Sequence, residues 1–339
     1  MKISPGKWKG LQAVSDARGV IAALAIDQRS ALRSLFAKAT GMEPGEVPRE
    51  SLEQFKEAVS RILTPHASAI LLDPEYGLPA ARQRARNCGL LLAYEQTGYD
   101  KSIPGRLPRL LENFSVPRLI AEGADCVKVL LYYSPFSPPN VNNQKHAWVE
   151  RIGAECAAAD VPFFLELVSY DDGMDEKSIE FARIKPQVVI RSMQEFSKPQ
   201  FAVDVIKVGV PVNMAFVEGA RSSPISVVYS REQAKTHFSR AAAAAGKPFI
   251  YLSEGVSNEL FNEALDLASD AGVNFSGVLC GRATWKDGVP VFASQGLRAL
   301  EDWLSTQGVK NIQSVNARLA HAEAWFEFYG AASAAALLN

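Results

Sequence analysis

Eight short apolar runs recur along the chain, at 19–27, 68–76, 89–96, 125–133, 162–170, 203–211, 248–255 and 275–282. Each is rich in Val, Ile, Leu, Phe or Tyr, and most are continuous rather than strictly alternating. Continuous runs of this length fit parallel strands buried on both faces. The segments between them show helical spacing. SLEQFKEAVSRIL (51–63) places Leu52, Phe55, Val59 and Leu63 on one face, with Ser51 as the expected N-cap. Segments 143–159, 231–246 and 257–272 behave likewise, the last two closing at Gly246 and Gly272. Strand and helix alternate, which predicts an α/β fold with a parallel sheet.

The number of runs selects the architecture. An open doubly wound sheet has about five or six strands, whereas a closed (β/α)8 TIM barrel uses eight in about 250 residues. No Gly/Ser-rich linker divides the chain, so residues 1–339 are expected to form a single barrel domain. The sequence after Arg282 reads as helical. It would supply the eighth helix and a C-terminal extension whose apolar part, 317–339, would pack on the barrel or on another subunit. That extension is the reason to expect a homo-oligomer, a dimer or larger.

Charges interrupt three of the runs. Lys128 lies in DCVKVLLYY, Glu166 in PFFLELVSY and Lys207 in FAVDVIKVGVPV. A charge in such a run must find partners or be neutralised. The bland reading of any one lysine is an outward-facing, snorkelling side chain. Three charges on successive strands, two lysines and a glutamate, are harder to dismiss, because a purely structural triad costs desolvation with no evident gain. Two ammonium groups about 6 Å apart at an effective dielectric near 20 repel by about 3 kcal/mol, which favours loss of one proton. A neutral amine beside a carboxylate is the arrangement for Schiff-base chemistry on a ketone.

Strand ends carry the remaining polar candidates, and in such barrels the active site lies there. Asp27 either joins the site or caps the following helix. Glu75 and Glu95 are read as structural or supporting. Ser253 and Gly255 end the seventh run just before a helix with Ser257 near its N-terminus, and Gly281 and Arg282 end the eighth. Backbone amides after strands seven and eight form the usual anion site of this fold, and Arg282 adds a bidentate clamp.

Composition narrows the field. The 339 residues are 47% hydrophobic and 22% charged, with a formal net charge of -1, so there is no global electrostatic case for nucleic acid or an anionic membrane. MKISPGKWKG has no apolar signal region, and VIAALAI (20–26) is too short to span a bilayer. Four scattered cysteines imply a reduced, cytoplasmic protein. His66, His146, His237 and His321 are dispersed, so neither a metal nor another cofactor is expected.

AALAIDQRSALR (22–33), SAILLDPEYGLPAAR (68–82), LLLAYEQTGYD (90–100), VKVLLYY (127–133), VDVIKVGVPVNMAFVEG (203–219), IYLSEGVSNELF (250–261) and GVLCGRATW (277–285) resemble the class I tagatose-1,6-bisphosphate aldolases. The likeness runs from about residue 12 to 318. It implies a metal-independent barrel that cleaves the ketose bisphosphate to dihydroxyacetone phosphate and glyceraldehyde 3-phosphate. On that resemblance Lys207 matches the Schiff-base lysine, Glu166 the acid/base carboxylate and Lys128 the second lysine. Asp27 and Gln28 match the pair that meets sugar hydroxyls. Ser253, Leu279, Gly281 and Arg282 match positions around one phosphate, and Arg29 is a candidate for the distal one. The family pattern has a glutamate two positions after the lysine, where this chain has Gly209. Aldolases acting on a sulfofructose phosphate share the lysine motif and stand as the second reading. A non-catalytic sugar-phosphate-binding regulator on the same barrel is a third, motivated by Gly209. A sugar-phosphate isomerase would not need two buried lysines.

Overall fold

Each apolar run contains one strand: β1 (Ile21–Ala25), β2 (Ala69–Leu72), β3 (Gly89–Ala93), β4 (Cys126–Tyr133), β5 (Phe163–Ser169), β6 (Val205–Gly209), β7 (Phe249–Leu252) and β8 (Gly277–Cys280). In this computed structural model, which describes residues 2–99, 103–221 and 226–338, the strands close into a barrel in chain order. Every pairing is parallel, including β1 with β8. The architecture is the (β/α)8 barrel expected from the eight runs.

Alternation within each strand separates two layers. Ile21, Ala23, Ala25, Ala69, Leu71, Leu91, Ala93, Cys126, Phe164, Val205, Ile250 and Leu279 fill the barrel interior. Their neighbours Leu24, Ile70, Leu72, Leu90, Leu92, Val127, Val129, Leu165, Ile206 and Val208 pack under the helices. This is the period of two hidden inside runs that look uniformly apolar. Continuing the inward phase past the core brings Asp27, Glu95, Lys128, Glu166, Lys207 and Gly209 toward the mouth.

The ring of helices closes through aromatic contacts. Phe36, Phe55, Phe292 and Trp285 pack edge to face, with centroids 5.6 to 6.1 Å apart. They join the helices Ser30–Thr40, Arg49–Leu63 and Gly288–Trp303. Two expected helix ends differ. The second of these helices starts at Arg49 with Pro48 as its cap residue, so Ser51 lies inside its first turn. The helix Arg231–Ala243 ends three residues before Gly246, whereas Gly272 follows Asn258–Asp270 closely at φ +66°.

The C-terminal extension covers the end of the barrel opposite the mouth. Trp325, Ala334 and Leu337 are buried with Leu11 and Val14 against the first residues of the strands. Backbone bonds Ile3 N to Leu337 O (2.9 Å) and Trp325 N to Gly19 O (3.0 Å) fasten it there. Its apolar face is thus used within the chain, which removes the argument that it must seek another subunit. Among the described residues no helix is long and apolar enough to cross a membrane.

Candidate active site

Paired register on β5 and β6 sets Glu166 beside Lys207. Glu166 Oε2 lies 2.9 Å from Lys207 Nζ and 2.8 Å from Lys128 Nζ. Both contacts fall outside hydrogen-bond angles, so this oxygen is directed fully at neither lysine. Lys128 also donates to Asp27 Oδ2 at 2.8 Å and to Glu95 Oε1 at 2.9 Å. Arg29 donates to Glu75 Oε2 at 2.6 Å and to the Glu95 carbonyl at 2.7 Å. Asp27, Glu95 and Glu166 therefore balance Lys128, Lys207 and Arg29 in a nearly dry site.

This network sets the protonation states. Burial lowers the pKa of Lys128, but Asp27, Glu166 and Glu95 outweigh it and hold the residue well above its ordinary value. Burial would raise Asp27, yet Lys128, Lys207 and Arg29 keep it well below the usual carboxylate range. Glu166 is lowered for the same reason, Lys128 and Lys207 outweighing its burial. Glu95 goes the other way, burial prevailing over Lys128 and Arg29. Two carboxylates meeting the same ammonium thus differ in proton affinity.

A cavity of about 750 Å³ opens above this cluster, lined by Asp27, Gln28, Glu95, Glu166, Ser253, Gly255 and Arg282 among others. Gln28 Oε1 and Glu95 Oε2 are buried with no hydrogen-bond partner among the described residues. Buried orphan acceptors call for donors such as sugar hydroxyls. On the β7–β8 side, Ser257 Oγ caps the helix Asn258–Asp270 by accepting from Leu260 N at 3.2 Å. That helix N-terminus, the turn after β7 and the Arg282 guanidinium lie together at the rim. Arg282 has no side-chain partner among the described residues. A second cavity, of about 930 Å³, is lined by Gln96, Tyr99, Arg109 and Trp148 and includes none of the charged cluster. No group of three or more His, Cys, Asp or Glu among the described residues is arranged to hold a metal ion.

The DeoC/LacD family aldolase profile matches residues 21–287. The chain belongs to the DeoC/LacD aldolase family. Its relatives include the tagatose 1,6-diphosphate aldolase 2 of Enterococcus faecalis, 54% identical over 317 residues covering 93% of this chain and 94% of that one. The tagatose 1,6-diphosphate aldolase of Listeria monocytogenes is 48% identical over 332 residues, covering 97% and 96%. A solved Schiff-base-forming fructose-1,6-bisphosphate aldolase shares the fold at a TM-score of 0.52 and 13% identity, covering 88% of this chain and 99% of that one.

Within this DeoC/LacD barrel most of the predicted residues converge, and the structure refines the reading at four positions. Asp27 does not cap a helix: the next helix begins at Ser30 with Arg29 as its cap residue. Glu95, read as structural or supporting, supports the charged cluster through its contact with Lys128, and the inward phase Leu91, Ala93, Glu95 is what places it there. Arg29 is 4% exposed and its guanidinium is engaged by Glu75 and Glu95, so it braces the mouth rather than standing open to a phosphate. Leu279 packs in the barrel core and brings no polar side chain to the rim. Gly209 leaves no hole. A Cβ there would lie 2.6 Å from Glu254 Cδ, because the Glu254 carboxylate fills that space. The motive for reading the barrel as a non-catalytic regulator falls away with it.

Proposed function

We propose that this chain is a class I, metal-independent lyase that cleaves D-tagatose 1,6-bisphosphate, and other ketohexose 1,6-bisphosphates, to dihydroxyacetone phosphate and glyceraldehyde 3-phosphate. The observation that carries the residue roles is the single Glu166 oxygen shared by Lys207 and Lys128. Lys207 Nζ forms the bond to the substrate's C2 carbonyl carbon, giving a carbinolamine. Glu166 passes the proton that lets water leave and the iminium form. The iminium then accepts the electron pair of the C3–C4 bond as the C4 hydroxyl loses its proton and the aldehyde departs. Protonation of the enamine at C3 and hydrolysis release dihydroxyacetone phosphate and restore Lys207.

The other residues support that sequence. Lys128 keeps Glu166 and Asp27 ionised and fixed. Asp27, Gln28 and Glu95 meet hydroxyls of the substrate. Ser253, the Gly255 and Gly281 backbone and Arg282 hold the phosphate of the dihydroxyacetone half, with the Ser257-capped helix behind them. We read the chain as one barrel domain with a C-terminal extension, acting in the cytoplasm. Borohydride reduction in the presence of dihydroxyacetone phosphate tests the central role. A covalent adduct on Lys207, absent from Lys207→Met, is the expected result; an adduct on another lysine would overturn it.

A further inference from the structure

The turn joining β7 to the helix Asn258–Asp270 contains a conformational outlier. Glu254 adopts φ +49°, a left-handed state that disfavours side-chain-bearing residues and persists only where the surroundings over-determine it. Two contacts do so here. Its carboxylate reaches Lys185 Nζ at 2.6 Å, and Lys185, on the helix Ile179–Phe196, is only 6% exposed. That cation has given up most of its water and depends on its partner. The same carboxylate fills the space over Gly209, so a glycine in β6 is what admits a glutamate from the β7 turn.

The turn's other residues face the anion site. Gly255 follows at φ +80°, and a Cβ there would lie 2.7 Å from Arg282 Cζ. Ser253, Gly255 and Arg282 all line the cavity. The Glu254 and Gly255 amides have no hydrogen-bond partner among the described residues. A carboxylate beside an anion site is unfavourable unless neutralised, and Lys185 supplies the opposing charge.

We infer that Glu254 is a positioning residue. Clamped to Lys185 across Gly209, it holds residues 253–255 in the shape that presents Ser253, the Gly255 amide and Arg282 to the substrate's phosphate. This deepens the proposed function and rests on it for the identity of the anion.

Steady-state kinetics with tagatose 1,6-bisphosphate, and inhibition by inorganic phosphate, test the clamp. Glu254→Ala and Lys185→Met are expected to raise KM and the phosphate inhibition constant about tenfold, with kcat within about threefold of wild type. Glu254→Gly relieves the left-handed backbone and should melt no lower than Glu254→Ala, which leaves Lys185 equally unpaired, while showing the same raised KM. A merely structural role would not produce that split. Gly209→Ala should reproduce Glu254→Ala by expelling the carboxylate, and the double variant should be no worse than either single one. Unchanged KM and phosphate inhibition in Glu254→Ala and Glu254→Gly would overturn the inference, as would additive losses in the double variant. A wild-type enzyme indifferent to inorganic phosphate would instead overturn the anion site on which the clamp acts.

Discussion

Glu166 and Lys207 occupy paired positions on adjacent strands, and their charged groups meet at 2.9 Å inside the barrel mouth. The same carboxylate oxygen lies 2.8 Å from Lys128, which itself gathers Asp27 and Glu95. Lys128 is therefore the counter-ion of the site. Its expected role as a repelling neighbour of Lys207 is muted by the three carboxylates around it.

Removing that counter-ion should cost stability. Lys128→Met leaves three converging carboxylates without their central cation, an expected loss of about 3–5 kcal/mol. Urea unfolding at neutral pH measures it. The folded-state pKa values of Asp27 and Glu166 lie below their ordinary values of 3.8 and 4.5. The stability these two groups contribute is present above that range and is lost as pH falls through the folded values. The gap between wild type and Lys128→Met should accordingly narrow below about pH 4.

Arg282 should act on the phosphate rather than on the chemistry. Arg282→Lys keeps the charge but loses the fork, and should raise KM for the bisphosphate about tenfold. Arg282→Ala should raise it further. Binding of unphosphorylated dihydroxyacetone, followed by borohydride labelling of Lys207, should change little in either variant.

Lys145 destabilises where the Lys128 cluster stabilises, although both make the folded protein more stable as pH rises. It is fully buried, donates to Tyr170 Oη at 2.8 Å and has no carboxylate within ion-pair distance among the described residues. Burial, with Arg106 adding to it, lowers its pKa to about 7. The folded protein thus holds one proton fewer than the unfolded chain between about pH 7 and 10.5, so this group's penalty is largest below pH 7 and fades as pH rises. Lys145→Met should raise the melting temperature at pH 6, and its advantage over wild type should shrink by pH 10. An advantage that grows with pH would contradict this account.

Trp325 tests the opposite end of the barrel. It is completely buried beneath the strands, and Trp325→Ala should cost about 3–5 kcal/mol. The fraction that remains folded should keep its KM, because the plug and the mouth are at opposite ends.

The barrel was legible because every strand is apolar enough to stand out. The lysines of β4 and β6 and the glutamate of β5 were legible because a charge contrasts sharply with such neighbours. Glu95 was visible at its strand end as a structural or supporting residue, but its direct contact with Lys128 was not, since that depends on which strands become neighbours. The engagement of Arg29 was invisible, since Glu75 lies 46 residues away in the chain and Glu95 further still. Gly209 looked like a lost carboxylate, yet Glu254 brings one to the same place from the turn after β7.

Residue order along one strand determines which side chains face the core, because the pleat repeats every two residues. That much, including eight strands and the inward charges, belonged to the sequence alone. Closure of the barrel decided the rest: that one Glu166 oxygen serves two lysines, that Lys128 takes three carboxylates, and that Glu254 stands over Gly209. These contacts join residues tens of positions apart, and only the register between neighbouring strands brings them together.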